Sequence, residues 1–178
     1  MRQNNKTRVL DAAIRVVERE GLRGLTLEAT AEEAGLTRGG ITYHFRGKAA
    51  LELALHEHLA ALWEEQLEGF AGKPAAEATP DERIAAYALA SQGASSAEMA
   101  LLLEGSKNPE YAALWDAIQH RWTPTTAEAA TDPAAFDRFV LRLAADGLWA
   151  YDAINTEEIP PSLREALANR IATLLRTS

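Results

Sequence analysis

The chain has 178 residues, 47% hydrophobic and 25% charged, with no cysteine and a formal charge of −8 at pH 7. That length fits one ordinary domain or two small ones, and the missing cysteine excludes disulfides, thiolate metal sites and a cysteine nucleophile. No apolar run approaches the roughly 20 residues that span a bilayer, and the N-terminus has no signal-peptide pattern, so a cytoplasmic protein with no membrane partner is expected.

Helical spacing runs through the whole chain. Leu10, Ala13, Ile14 and Val17 mark one face of a first helix, expected to stop near Gly21. Thr26 is placed to cap a second helix, on which Leu27, Thr30, Ala31 and Ala34 share a face, and Gly35 suits the left-handed residue that ends it. Thr37 caps a third, short helix in "TRGGITYHF", with Ile41 and Phe45 one turn apart. Gly39 and Gly40 each cost a helix interior about 1 kcal/mol relative to alanine, so this helix reads as one built to lie against another surface. A longer helix follows from Lys48 to about Phe70, with Leu51, Leu55, Leu59, Leu62 and Leu67 as its inner face.

"AGKPAAEATP" at 71–80 is the best candidate linker. Thr79 with Glu82, and Ser95 with Glu98, have capping-box spacing. "NPEY" at 108–111 opens a helix striped by Tyr111, Leu114, Trp115, Ile118 and Trp122, and 123–132 reads as a loop. Asp132 caps a helix running to about Ile154; Ser162 caps the last one and Glu165 boxes it, with Leu163, Leu167, Ile171 and Leu174 as its stripe. The expected fold is all-α, about nine helices, with a three-helix head at roughly 5–45 and a helical body beyond. The domain boundary is set at 1–47 and 48–178.

Two short helices joined by "GLT" have the form of a helix-turn-helix. Residues 1–50 carry nine basic and six acidic side chains, whereas the other 128 carry nine basic and twenty acidic. A basic head on an acidic body fits a head that meets a polyanion. Arg38 has the fork that matches guanine in the major groove. Thr37 can touch phosphate while capping; Thr42, Tyr43 and His44 can reach bases or backbone, although His44 can equally pack beside Phe45. Lys48 brings its ammonium to a helix N-terminus, where phosphate binds well. Gly39 and Gly40 let backbone approach the groove or the neighbouring helix more closely, unless Gly40 merely tolerates a crowded packing contact. Arg2, Lys6 and Arg8 form either an arm over the DNA backbone or a free basic tail.

The 45 residues from Thr7 to Leu51, above all "DAAIRVVEREG", Thr26, "AEEAGLTRG" and "YHF" three residues before Lys48, resemble the DNA-binding head of the TetR family of transcriptional regulators. "LRLAADGLWAYDAI" looks like a late body helix of that family. The resemblance implies a dimer that binds double-stranded DNA at an inverted repeat, and a body that holds a small effector. Three positions depart from the pattern. Thr30 replaces a buried aliphatic residue, and its hydroxyl is expected to bond back to the carbonyl of Thr26. Gly40 replaces a residue that often reaches DNA. Thr42 replaces a tyrosine that holds phosphate, a role left to Tyr43, to Thr42, or lost.

The helix at 132–154 is apolar on more than one side, so it needs covering twice. Phe136, Phe139, Val140, Leu143 and Gly147, with Leu167, Ile171 and Leu174, are the expected interface with a second copy, the alternative being a helix buried wholly inside one subunit. Tyr87, Met99, Trp115, Ile118, Trp122, Asp146 and Trp149 are candidate contacts for an unknown small apolar effector, with core packing as the plain alternative. Asp146 is expected to pair with Arg142 or face the ligand. No enzyme constellation, cofactor or metal site is expected; His56 and His58, at i and i+2, point apart. The function expected is a ligand-responsive DNA-binding regulator, most simply a repressor. The alternative is a helical binding or interaction protein without specific DNA binding.

Overall fold

A computed structural model describes residues 5–174. They form ten helices and no strand: α1 (Asn5–Gly24), α2 (Leu27–Glu33), α3 (Arg38–His44), α4 (Lys48–Ala71), α5 (Pro80–Ala90), α6 (Ser96–Gly105), α7 (Pro109–Trp122), α8 (Thr126–Thr131), α9 (Pro133–Ile154) and α10 (Pro161–Thr173). Contacts divide the chain into two compact units. The first runs up to Ala61 and includes Ser95–Leu114; the second holds Leu62–Ala94 and the chain from Trp115 onward. Among the described residues no helix is long and apolar enough to cross a membrane. Arg2 lies outside the described residues, and so does the end of the chain after Leu174.

In the first unit α1 buries Val9, Leu10, Ala12, Ala13, Val16 and Val17. Gly21, at φ 70° and ψ 179°, breaks the backbone at the expected end of the helix, but helical turns resume as far as Gly24. Thr26 caps α2 by accepting from the Ala29 amide at 3.0 Å, and Gly35 takes the left-handed conformation that ends it, at φ 66°. Leu51, Leu55 and Leu59 of α4 join this core. The His56 ring lies against the backbone of Gly105, where a Cβ would come within 2.4 Å of it, and stacks on Tyr111 at 4.5 Å. His58 turns instead to Asp11, at 3.2 Å.

Thr30 departs from expectation. Its amide donates to the Thr26 carbonyl at 3.0 Å, but its fully buried hydroxyl has no hydrogen-bond partner among the described residues. The carbonyl already serves the helix, and the hydroxyl is enclosed with the apolar face of α2.

In the second unit both residues of the Thr79–Glu82 capping box bond as the spacing requires, and Lys73 also reaches Glu82 at 2.8 Å. These contacts to Lys73, with Ala75 and Ala78 buried, make 71–80 a packed connection between α4 and α5 rather than a linker between domains. The 123–132 stretch contains α8: Thr125 and Glu128 form a third capping box that the loop reading overlooked. α10 begins at Pro161 without any side-chain cap, so Ser162 and Glu165 do not play the part expected of them. Proline at the first helical position needs no amide partner and presets φ, which starts the helix without a cap. Leu62, expected inward on α4, is 39% exposed.

Two outcomes test this packing. Thr30→Val removes a buried, unpartnered hydroxyl at nearly constant volume and should raise stability by about 1 kcal/mol in urea unfolding. A fall instead would mean that the hydroxyl is satisfied. Burial holds the His56 pKa below its ordinary 6.5, so the unfolded chain takes the proton more readily. Stability from the neutral ring is complete above about pH 6.5 and declines as pH falls toward the lowered folded value. Thermal melts between pH 7.5 and 5.5 should show this slope, and His56→Leu should flatten it.

Candidate nucleic-acid interface

A seven-residue helix is too short to be stable alone. α3 is held at its start by Thr37, whose hydroxyl accepts from the Gly40 amide at 3.2 Å, and from beneath by Ile41 and Phe45, both buried. The opposite face is bare. Arg38, Gly39, Thr42 and Tyr43 are exposed, and the Tyr43 ring, at 86% exposure, is the most solvated large hydrophobic side chain described. The Thr42 hydroxyl is spent on the Arg38 carbonyl at 2.7 Å. Tyr43 carries the outward phenol. His44 is half-buried between the Tyr43 edge and Phe45.

The two glycines are not demanded by the chain itself. A Cβ on Gly39 would meet only the Thr37 hydroxyl, at 4.0 Å; one on Gly40 would meet ordinary contacts at 3.5 Å and beyond. Neither has a positive φ. No internal crowding and no backbone strain explains them.

Several of the head's charges are paired. Arg15 and Arg19 both reach Glu33 at 2.8 Å, and these cations hold its carboxyl below the usual carboxylate range. Lys48, the first residue of α4, lies 3.6 Å from Glu52. Arg38 lies 3.5 Å from Glu28 of α2. Glu28 was missed in the sequence. It stands one position after the first residue of α2, ten before Arg38, and only the α2–α3 turn brings the two together.

In the body the expected ligand residues separate into groups. Tyr87 is buried and donates to Asp146 at 2.6 Å, with Trp63 edge-on at 5.8 Å. Burial, and then the Asp146 charge, pushes the Tyr87 phenol far above its ordinary range. Arg142 lies 3.5 Å from Asp146, donates to Gln119 at 2.6 Å, and sits over the Phe139 ring. Ile118 and Trp122 are buried in the core, Trp122 with its indole N–H lacking a hydrogen-bond partner among the described residues. Trp122 also lines a hollow of about 260 Å³ with Arg83, His120 and Arg138. Trp115 and Trp149 are half-buried, and Met99 belongs to α6 in the first unit. Of the residues expected at an interface, Phe136, Val140, Leu143 and Leu167 are exposed, as is Gly147; Phe139 and Leu174 are half-buried and Ile171 is buried.

A family model for the tetracyclin repressor-like C-terminal domain matches residues 81–176, and one for bacterial regulatory proteins of the tetR family matches 9–55. The chain belongs to the TetR family. The HTH-type transcriptional regulator TtgR of Pseudomonas putida is 40% identical over 65 residues, 33% of this chain and 31% of that protein. The match thus spans about a third of the length of that curated relative. A transcriptional regulator from Rhodococcus sp. Rha1 shares the fold over 98% of this chain and 97% of its own, with a TM-score of 0.70 and 19% identity. A putative transcriptional regulator from Saccharomonospora viridis, solved in complex with choline, does so over 93% and 94%, with a TM-score of 0.68 and 20% identity. TetR proteins are DNA-binding regulators rather than enzymes, and the helix-turn-helix of α2 and α3 lies within the matched head.

Proposed function

We propose that this TetR-family chain is a ligand-responsive repressor that binds a short inverted repeat in double-stranded DNA as a homodimer, in the cytoplasm. Residues 1–47 serve as the DNA-binding domain and 48–178 as the ligand-binding and dimerisation domain. The observation that carries this reading is the outer face of α3: a helix anchored by Ile41 and Phe45, with Arg38, Gly39, Gly40 and Tyr43 turned away from its own core. The N-terminal turn of a recognition helix meets base edges. Glycines there let the backbone come close to the groove. Arg38 reads guanine, Lys48 and Thr37 hold phosphate, and Tyr43 takes the phosphate role that Thr42 cannot fill while bonded to Arg38. Thr26 fixes the start of α2 beside them.

The dimer reading rests on Phe136, Val140 and Leu143 of α9 with Leu163 and Leu167 of α10, large apolar side chains exposed on neighbouring helices. Two copies would place paired heads in successive major grooves, about 34–36 Å apart. The effector reading rests on the Tyr87–Asp146 pair, on the separate hollow lined by Trp122, and on the choline bound by the Saccharomonospora viridis relative. An effector releases DNA only by its difference in affinity for two body shapes.

Lys48→Ala should weaken binding to every sequence and flatten the salt dependence, because it removes a phosphate contact. Arg38→Ala should cost about 1–3 kcal/mol on the preferred site and relax base preference at one position. Titrations on a duplex selected from a randomised pool and on a random duplex check both; equal losses with equal salt slopes would show that Arg38 reads no base. Leu143→Glu places a charge on a side chain 55% exposed in the single chain, so the subunit should fold and stay monomeric. Sedimentation of the wild type as a monomer at micromolar concentration would refute the dimer.

A further inference from the structure

The first unit contains a hollow of about 640 Å³ to which the proposed function assigns no ligand. Its walls come from the end of α1, the first half of α4, the end of α6 and the turn into α7, all within that unit. The volume is that of a small-molecule pocket. Leu22 and the buried Leu101 supply an apolar wall, and Tyr111, stacked on His56 at 4.5 Å, an aromatic one. Gly105 admits the His56 ring, since a Cβ there would come within 2.4 Å of it. Three cations, Arg23, Lys48 and Lys107, line the hollow with two carboxylates, Glu52 and Glu104. We infer that this hollow binds a small, flat monocarboxylate, and that the bound anion lies beside the Lys48 ammonium and lowers affinity for DNA. The site is distinct from the Tyr87–Asp146 pair and the Trp122 hollow, which belong to the second unit.

The sign of the charge decides the ligand. The chain carries −8 overall, yet this wall holds more cations than carboxylates. The surplus is Arg23. Lys107 is bonded to Glu104 at 2.7 Å and Lys48 lies 3.6 Å from Glu52, whereas Arg23 is exposed and makes no ion pair among the described residues. Its planar fork matches a carboxylate with two parallel bonds. Burial, and then the Glu52 and Glu110 charges, raise the Tyr111 phenol, which keeps its proton and can donate. Burial holds His56 below its ordinary value, so the ring is neutral and serves as a flat surface. A dianion would meet Glu52 and Glu104, and an organic cation would meet three positive side chains. Arg23 belongs to the last turn of α1 and Lys48 to the first turn of α4, so an anion between them faces both. There it offsets the charge that the proposed function turns to DNA phosphate, and by linkage DNA weakens the anion in return.

The effect on DNA rests on the phosphate role proposed for Lys48; the binding site does not. Benzoate and its uncharged analogue benzamide are therefore titrated first into the isotope-labelled protein without DNA, followed by amide NMR. Benzoate should shift the amides of Arg23, Gly105, Lys107 and Tyr111 to saturation, with a dissociation constant on the order of 1 mM, usual for so small a probe. Benzamide should not saturate over the same range. Arg23→Gln should weaken benzoate about fivefold, the worth of an exposed ion pair. Arg170→Gln, which removes the same charge from an exposed position on α10, should leave it unchanged. Absence of saturable shifts, shifts confined to the second unit, equal binding of benzamide, or equal losses in the two variants would overturn the site. Saturating benzoate at constant ionic strength should then lower affinity for the selected and random duplexes alike, about fivefold per head in roughly 0.15 M salt, with a salt slope shallower by about 0.9 per head. Lys48→Ala should abolish this effect. Benzoate bound in the hollow with DNA affinity unchanged overturns the regulatory half of the inference. If Lys48→Ala by itself leaves DNA binding intact, the phosphate role of Lys48 fails and the effect on DNA with it, while the titration without DNA still decides the site.

Discussion

Burial of Ile41 and Phe45 beneath α3 is the contact on which the head depends. Seven residues with two glycines cannot hold helical form unaided. The Thr37 cap supplies one bond at the start, and the two apolar anchors fix the helix against the rest of the first unit. Once those anchors are set, the geometry of a helix dictates the remainder. Arg38 and Thr42 sit one turn apart on the outer side, Gly39 and Gly40 leave the first turn low, and Tyr43 stands away from the surface. The exposed set on α3 is thus a by-product of anchoring.

The same economy governs charge. A regulator with a net charge of −8 cannot rely on long-range attraction to a polyanion. Among the described residues Arg15, Arg19, Arg38 and Lys48 lie beside carboxylates at two ranges of distance. Glu33 locks α1 to α2 with direct bonds, whereas Glu28 and Glu52 merely accompany Arg38 and Lys48. The tight pairs tie α1 to α2, whereas the looser ones leave Arg38 and Lys48 largely solvated.

In the second unit a polar ladder runs from the buried Tyr87 through the half-buried Asp146, Arg142 and Gln119, joining α5, α9 and α7. A separate fastening holds α10. Arg164 is buried, donates to the Leu148 carbonyl at 3.0 Å and pairs with Asp152, whose other oxygen accepts from the Ile159 amide. These bonds fix α10 beside α9, and with it the exposed Leu163 and Leu167.

Local rules made much of this chain legible. The Thr26, Thr37, Thr79, Ser95 and Asp132 caps form as their spacing implies, because a cap needs only its own helix turn. Helix type followed from periodicity, and TetR membership from a run of 45 residues whose order alone carries the match. Features that depend on distant neighbours were not legible. The Thr30 hydroxyl lost its expected bond once α2 was enclosed, and α10 began on a proline instead of Ser162. Leu62 fits the inner stripe of α4 by spacing, yet it is exposed, since only packing decides which part of a stripe is covered. Glu28 was invisible for the same reason: its charge acquires meaning only when the turn at Gly35 folds α3 back beside α2 and brings a carboxylate to Arg38. Residue order determines what each side chain can bond to within one helical turn; the tertiary structure decides which of those bonds survives and which partner arrives from elsewhere.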